Sequence, residues 1–457
     1  MKQYDAVIIG FGKGGKTLAA DLAAAGQRVA IIERSARMYG GTCINVGCIP
    51  TKSLVNSAKL ATVKAALTFE EKAALYRDAI AEKERLTGML REKNFAKLND
   101  NPNVTVYNGI GSFCSAHEIQ IEGPAGREVV GGERIFINTG STAVIPPIAG
   151  IAENPRVFTS ETLLDLTELP GHLVIVGGGY IGLEFASFYA NFGSRVTILQ
   201  DGDVFLPRED TDIADEIRRV LAQKDVDVVT GVKVNSITDS LSQAVVSYEK
   251  DGESIDLPAD AVLIATGRKP NTADLNLAAA GIKTTPRGAV RVDDYLRASV
   301  PNVWAMGDVA GGLQFTYISL DDYRIVRSQL SNGCEAKSLV SRKNVPYSVF
   351  IDPAFSRVGL NEREALEQGY QIKVAKLPAA AIPKAQVLRE TNGLLKAVVD
   401  AKTDLILGAM LFCAESYEVI NTVKLAMDIG LPYTLLRDQV FTHPTMSEAL
   451  NDLFGTV

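Results

Sequence analysis

Cys43 and Cys48 stand close together in the run Gly40-Gly41-Thr42-Cys43-Ile44-Asn45-Val46-Gly47-Cys48-Ile49-Pro50-Thr51-Lys52. Pro50 suits the first turn of a helix, which places Cys48 at a helix N-terminus. There the dipole and the unpaired N–H groups favour a thiolate, the form that thiol–disulfide exchange requires. The spacing therefore points to a reactive disulfide. Cys114, Cys334 and Cys413 are isolated and read as packed or unreactive thiols. The histidines His117, His172 and His443 are too scattered for a zinc site, and no metal site is expected.

One histidine has a partner. In Phe441-Thr442-His443-Pro444-Thr445-Met446-Ser447-Glu448, the proline stiffens the backbone and Glu448 is placed to hold one imidazole nitrogen. The other nitrogen is then an acid or base near neutral pH. A lone histidine near a chain end is more often structural, so the pair alone does not decide.

The elements that must position these groups show an internal repeat. Tyr4-Asp5-Ala6-Val7-Ile8-Ile9 reads as a buried strand, followed by Gly10, Gly12 and Gly15 in G-x-G-x-x-G spacing and an alanine-rich helix. The plan returns at His172-Leu173-Val174-Ile175-Val176 with Gly177, Gly179 and Gly182. Each copy carries a glycine suited to a helix C-cap (Gly26, Gly193), then Arg-Val (Arg28-Val29, Arg195-Val196) and a second apolar strand. The duplicated βαβ unit implies two dinucleotide sites, with pyrophosphate at each helix N-terminus. The second strand ends in Glu33 in the first copy, an acceptor pair for the ribose hydroxyls of FAD or NAD. In the second copy it ends in Gln200. A neutral amide neither demands a free 2′-hydroxyl nor supplies charge for a 2′-phosphate. Asp201 and Asp203 disfavour phosphate while Arg208 favours it, so NADH and NADPH both stay open.

Each half closes on a strand running into a Thr-Gly turn, at Thr139-Gly140 and Thr266-Gly267, and these turns are expected to mark the crossings between the two nucleotide domains. Val303 to Asp308 is a strand ending in Gly-Asp, where a carboxylate can accept hydrogen bonds from a polyol. Thr51 to Asp100 reads as helical and heavily charged, mostly a solvated face. From about Asn344, short alternating segments joined by Pro- and Gly-containing turns read as an antiparallel α+β domain.

The chain has 457 residues, 46% hydrophobic and 22% charged, which suits a globular protein of several domains. A net charge of −7 argues against nucleic acid as partner. No apolar run approaches the roughly 18 residues of a membrane span. The N-terminus passes directly from strand to glycine loop and leaves no room for a signal peptide, so cytoplasm is the expected compartment, where a persistent structural disulfide is unusual.

Together these segments resemble the flavoprotein disulfide reductases: glutathione reductase, dihydrolipoamide dehydrogenase, mercuric reductase and their relatives. The resemblance covers essentially the whole chain. It implies an α/β fold with two Rossmann-like domains and a C-terminal α+β dimerisation domain. The expected boundaries are 1–148 for the first part of the FAD domain, 149–268 for the NAD(P)H domain, 269–338 for the second part of the FAD or central domain, and 339–457 for dimerisation. The run from Gly40 to Lys52 matches the family's redox disulfide. The first fingerprint (Gly10, Gly12, Gly15, with Glu33) is implied to hold FAD and the second (Gly177, Gly179, Gly182, with Gln200) NADH or NADPH. Asp308 matches the flavin ribitol contact, and Thr42, Thr139, Gly140 and Gly267 join the implied cofactor contacts. Lys52 and Glu184 are implied to pair near the flavin, and Tyr180 to cover the nicotinamide pocket until the cofactor enters. His443 and Glu448 match an acid/base dyad donated across a homodimer interface. Electrons are then expected to run from NAD(P)H through FAD to Cys48, the flavin-side thiolate, and to Cys43, which attacks the oxidant.

Gln314 to Val326 and Leu436 to Pro444 look most like the reactive chlorine resistance branch of the family, whose members are implied to reduce hypothiocyanous acid or Cu(II) at the expense of a nicotinamide. The end Leu453-Phe454-Gly455-Thr456-Val457 lacks a cysteine pair, which disfavours a typical mercuric reductase. Two alternatives are a dihydrolipoamide dehydrogenase or other small-disulfide or mercuric reductase, and a flavin-loaded redox sensor.

Overall fold

The computed structural model describes residues 1–63, 67–124, 126–152, 154–240, 242–330 and 336–457. Cys334 lies outside the described residues. The chain divides into two compact units: Met1–Ser53, Ile80–Ile145 and Gly267–Arg342 form the first, and Leu54–Ala79, Pro146–Thr266 and Lys343–Val457 the second.

In the first unit, parallel strands Val104–Asn108, Val29–Glu33, Lys2–Ile9 and Gly126–Ile137 lie side by side in that order. Val303–Ala305 adds to the last of these in parallel, and Glu118–Gly123 and Ile110–Ser115 extend the sheet antiparallel. The central strands are near-continuous apolar runs because both faces are covered. Ala6, Ile8, Val29 and Ile31 pack with Leu18 and Leu22 of the helix Lys13–Ala24, while Val7, Ile9, Ala30 and Ile32 pack with Phe113, Ile119 and Leu275. This alternation sets the register, with Ala6 opposite Val29 and Ile9 opposite Ile137.

The second unit repeats the plan. Val226–Val229, Arg195–Leu199, His172–Val176, Ala261–Ile264 and Val157–Thr159 form an all-parallel sheet. The helix Tyr180–Phe192 follows the second fingerprint and ends on Gly193, left-handed at φ +103°. Gly26 has φ +81° at the corresponding place in the first copy. Both glycines terminate their helices in a conformation that a Cβ disfavours. The C-terminal segment folds as a five-stranded antiparallel sheet, ordered Tyr347–Val349, Phe355–Gly359, Ile406–Phe412, Leu394–Asp400, Ile372–Pro378. Helices Ser416–Asp428 and Ala449–Gly455 share its core through Val419, Ile420, Leu450 and Leu453. The architecture is thus two Rossmann-like nucleotide folds and a C-terminal α+β domain. No helix among the described residues is long and apolar enough to cross a membrane.

Candidate active site

The first fingerprint is shaped by what occupies the place of the missing side chains. Gly10 has φ +104°, and a Cβ there would lie 2.3 Å from the Asn138 carbonyl oxygen. A Cβ on Gly12 would lie 2.5 Å from Asn138 Oδ1. The Asn138 amide fills that space because it caps the helix: Oδ1 accepts from the Gly15 N–H at 2.9 Å, and Nδ2 donates to the Met306 carbonyl at 2.7 Å. Ser319 Oγ accepts from the Gly14 N–H at 3.1 Å. Two first-turn donors that the helix cannot satisfy itself are therefore met by remote side chains.

Glu33 is buried at the end of its strand, where its carboxylate accepts from the amides of Phe11 (3.0 Å) and Ser35 (3.2 Å). Burial raises its pKa and the two amides oppose that rise. Glu33 lines a cleft with Gly10, Ile32, Thr139, Asn271 and Leu275. A cradle without Cβ atoms at a helix N-terminus, opening on a cleft with an acceptor pair, fits the diphosphate and ribose of an adenine dinucleotide. Along the same unit, Asp308 Oδ2 accepts from Ser141 Oγ at 2.6 Å, and Arg268 Nε donates to that hydroxyl at 2.9 Å. Thr139 and Asn271 exchange hydrogen bonds of 2.7 and 3.0 Å, bracing the turn at Gly140.

The cysteine loop packs directly on this cradle. Gly41, at φ +77°, approaches so closely that a Cβ would sit 2.7 Å from Gly12 Cα. Asn45 ties the loop by donating to the Tyr39 and Gly41 carbonyls at 3.0 and 2.9 Å, and Arg91 Nε donates to Asn45 Oδ1 at 2.7 Å. Thr42 opens the short helix Thr42–Asn45, and Cys48 is the first residue of the helix Cys48–Thr62, with Pro50 in its first turn. Cys43 and Cys48 are both thiols here and half-buried. Cys48 Sγ lies 3.3 Å from Thr316 Oγ1. The Cys43 thiol is held far above its ordinary value, first by its hydrogen bond to Cys48, then by burial and by the charge on Cys48. The two thiols therefore titrate as a coupled pair and do not both ionise together. Beneath the loop, Lys16 Nζ donates to the Gly40 carbonyl at 3.3 Å and to Asn94 Oδ1 at 2.6 Å. Burial, with help from Lys13, lowers its pKa to about 8, while Cys43 opposes the shift.

In the second unit, Gly177 has φ +115° and a Cβ there would meet the Ala265 carbonyl oxygen at 2.5 Å. Gly179 faces open space, so a diphosphate can approach the N-terminus of the helix that Tyr180 begins. The Gln200 amide group donates to the carbonyls of Gly202 (3.0 Å) and Val204 (2.7 Å), which spends both of its hydrogens on the following loop and leaves Oε1 as its acceptor atom. Glu184 Oε1 accepts from the Phe350 amide at 2.9 Å. Tyr180 donates to Glu209 at 2.5 Å and stacks on Tyr347. Near the C-terminus, His443 Nδ1 meets both oxygens of Glu448, at 3.0 and 2.8 Å. The histidine side chain is 66% exposed, so the ring stays open to approach.

The first unit thus brings together Gly10, Gly12, Gly15, Glu33, Thr42, Cys43, Cys48, Lys52, Thr139, Gly140, Gly267 and Asp308. Gly177, Gly179, Tyr180, Gly182, Glu184, Gln200, His443 and Glu448 lie in the second. Cys114 is exposed, and Cys413 is buried with its thiol pushed up to about 12. His172 bonds Thr197 at 3.0 Å inside its sheet, and burial pushes its pKa down. Among the described residues no group of His, Cys, Asp and Glu has the form of a metal site. The sequence reading assigned no role to Asn138, Ser319, Thr316, Lys16, Glu209 or Tyr347. The two repeats held a signal for two of these: Lys16 and Asn138 occupy positions where the second copy has Leu183 and Ala265.

Residues 4–322 match the family model described as pyridine nucleotide-disulphide oxidoreductase, and residues 345–454 match its dimerisation domain. The chain is 54% identical over its full length, and over the full length of the relative, to the probable pyridine nucleotide-disulfide oxidoreductase RclA of Escherichia coli. It is 34% identical to the dihydrolipoyl dehydrogenase of Mycobacterium bovis, across 99% of this chain and 98% of that one. A solved structure described as the Cu(II) complex of the HOCl-induced flavoprotein disulfide reductase RclA from Escherichia coli superposes with TM-score 0.94, at 53% identity and complete coverage of both chains.

Proposed function

Because the chain belongs to the pyridine nucleotide-disulphide oxidoreductases, FAD-dependent NAD(P)H enzymes acting on sulfur groups, we propose that its Cys43–Cys48 pair reduces a thiol-reactive oxidant, hypothiocyanous acid foremost. The observation that carries this reading is the cysteine loop itself: two thiols close enough to titrate as a pair, one at a helix N-terminus, seated on a dinucleotide cradle. The HOCl-induced reductase of Escherichia coli, to which the chain is similar, supports an oxidant of that class.

FAD, when bound, would supply the two-electron redox chemistry that links the nicotinamide to the disulfide. Gly10, Gly12, Gly15, Glu33 and Asp308 hold it in the first unit, with Thr42, Thr139, Gly140 and Gly267 beside them. Gly177, Gly179, Gly182 and Gln200 hold NADH or NADPH in the second, with Tyr180 over the nicotinamide pocket. Lys52 and Glu184 serve the flavin side of the exchange. In the dithiol, Cys48 carries the negative charge, steadied by the helix N-terminus and the Thr316 hydroxyl. Cys43 keeps its proton, so its attack requires a base. His443, oriented by Glu448 and donated across the interface of a homodimer, takes that proton. Cys43 sulfur then bonds the sulfur of hypothiocyanous acid, and the departing hydroxide leaves as water with the proton. Cys48 attacks Cys43 in turn, thiocyanate departs and the disulfide is restored. The cytoplasm, which supplies NAD(P)H, is the compartment this chemistry suits.

A second reading has support of its own. The Cu(II) complex of the Escherichia coli relative favours copper as a further oxidant, since soft thiolates stabilise Cu(I). The deciding measurement is Cys43→Ser in the FAD-loaded protein. NAD(P)H should still bleach the flavin at the rate of the unaltered enzyme, while turnover with hypothiocyanous acid falls at least a hundredfold. Turnover that survives the substitution removes Cys43 from the reaction.

A further inference from the structure

Lys16 is a cation that the chemistry above leaves unused. It is the fourth residue of the helix Lys13–Ala24. Its ammonium donates to the Gly40 carbonyl in the cysteine loop at 3.3 Å and to Asn94 Oδ1, on the helix Phe69–Asn99, at 2.6 Å. Asn94 is itself fixed, because its Nδ2 donates to the Leu90 carbonyl at 2.7 Å. Arg91 on the same helix holds Asn45 at the far side of the loop. Cradle helix, cysteine loop and long helix thus close around one ammonium. Both of its acceptors are neutral oxygens, and with three hydrogens it keeps one N–H beyond these two bonds.

The charges that bear on Lys16 are Lys13 on its own helix, Lys97 on the helix opposite and Cys43 in the loop. The two lysines repel it, and only Cys43, as a thiolate, opposes its charge. The relation holds in the other direction, since a charge on Cys48 resists ionisation of Cys43 and Lys16 favours it. A desolvated ammonium between like charges costs fold stability near neutral pH, so packing does not account for it. The second copy of the repeat carries the fully buried Leu183 at this place, so the helix position accepts an apolar side chain.

We propose that Lys16 is a positioning residue whose ammonium, held under the cysteine loop by Gly40 and Asn94, supplies the counter-charge for the Cys43 sulfur as it attacks the oxidant. In that step the Cys43 proton passes to His443, a sulfur–sulfur bond forms to hypothiocyanous acid, the sulfur–oxygen bond breaks and the oxygen leaves as water with the proton. The Cys43 sulfur is anionic only between the loss of its proton and the new bond, and a fixed cation stabilises it there at no cost of reorganisation. The proposal rests on reading Cys43 as the attacking thiol.

The test is the pH dependence of iodoacetamide alkylation in FAD-loaded Cys48→Ser protein, where Cys43 titrates without its partner, followed by mass spectrometry of the Cys43 peptide. Adding Lys16→Met, which removes the charge and keeps the length, should raise the alkylation midpoint by about 0.5 to 1 on the pH scale and slow alkylation at pH 7.5 roughly three- to tenfold. Adding Lys16→Arg, which keeps the charge, should restore most of the rate. The ratio of iodoacetate to iodoacetamide rates, from which the thiolate fraction cancels, should fall in Lys16→Met as well, because the anionic reagent loses its attraction. With Cys48 in place, kcat/KM of Lys16→Met for hypothiocyanous acid should fall by a similar factor. An unchanged midpoint overturns the counter-charge. So does an equal shift in the Met and Arg variants, which marks a packing effect, or a shifted midpoint with unchanged kcat/KM. Turnover that survives Cys43→Ser removes the attacking thiol on which the proposal rests, an outcome read separately from the alkylation midpoint.

Discussion

Replacing Asn138 by alanine should loosen the whole flavin-side cradle, and its size follows from counted bonds. The Asn138 side chain is buried and satisfies the Gly15 N–H at 2.9 Å and the Met306 carbonyl at 2.7 Å, with a longer contact to Ser319 at 3.3 Å. Gly15 is the third residue of the helix Lys13–Ala24, so its N–H has no acceptor within the helix. Both Gly15 and Met306 are buried, which keeps water from replacing the amide. Two good hydrogen bonds lost at about 1 kcal/mol each, plus desolvation of groups left unpaired, give a cost of about 2 to 4 kcal/mol. For a unit of about 200 residues that lowers Tm by roughly 5 to 15 °C. The assay is a melt of the FAD-loaded protein followed by circular dichroism and by flavin fluorescence, which rises as FAD is released. Flavin release should come first and set the shifted transition. A fall of less than about 2 °C in both signals would mean that Asn138 is not a cap that matters.

Two further outcomes follow from the cysteine loop and the dyad. Lys16, lowered by burial from 10.5 to about 8, holds fewer protons folded than unfolded between those values, so stability rises with pH across that window. Lys16→Met should therefore gain stability at pH 7.5 relative to the unaltered chain and lose roughly half of that advantage by pH 9.5. A urea midpoint difference that is constant between the two pH values refutes the buried, depressed lysine. His443→Ala should slow oxidant turnover by about 10²- to 10⁴-fold, the usual worth of a positioned acid/base, while FAD reduction by NAD(P)H stays unchanged. Stopped-flow separation of the two half-reactions checks it, and equal slowing of both refutes the assignment.

What was readable in the chain was whatever the chain writes locally. The glycines of each fingerprint, the cysteine run and Glu33 stand in local patterns that spacing exposes, whereas the pair His443 and Glu448 gained its meaning only from the resemblance of the whole chain. The fold was legible for the same reason, since both parallel sheets come from short apolar strands that follow one repeated order. Glu209, Tyr347, Thr316 and Ser319 act through contacts made only on folding: Tyr347 reaches Glu209 across 138 positions and Ser319 reaches Gly14 across 305. No local pattern announces such contacts, because any Tyr or Ser on those elements reads as ordinary surface or core.

The repeat itself, however, carried information beyond its similarities. Where the first copy has Asn138 the second has Ala265, at strand ends whose carbonyls approach Gly10 and Gly177 in the same way. An alanine has no amide with which to cap the helix behind it. Lys16 and Leu183 differ likewise, one a half-buried cation beneath the cysteine loop and the other a fully buried core residue. At a third position the copies carry Lys13 and Tyr180, the first beside a cradle stitched shut by Asn138 and Ser319, the second a ring tied to Glu209. These are three among several differences between the copies, Glu33 against Gln200 being another, and they give the first copy a helix cap and a half-buried cation that the second lacks.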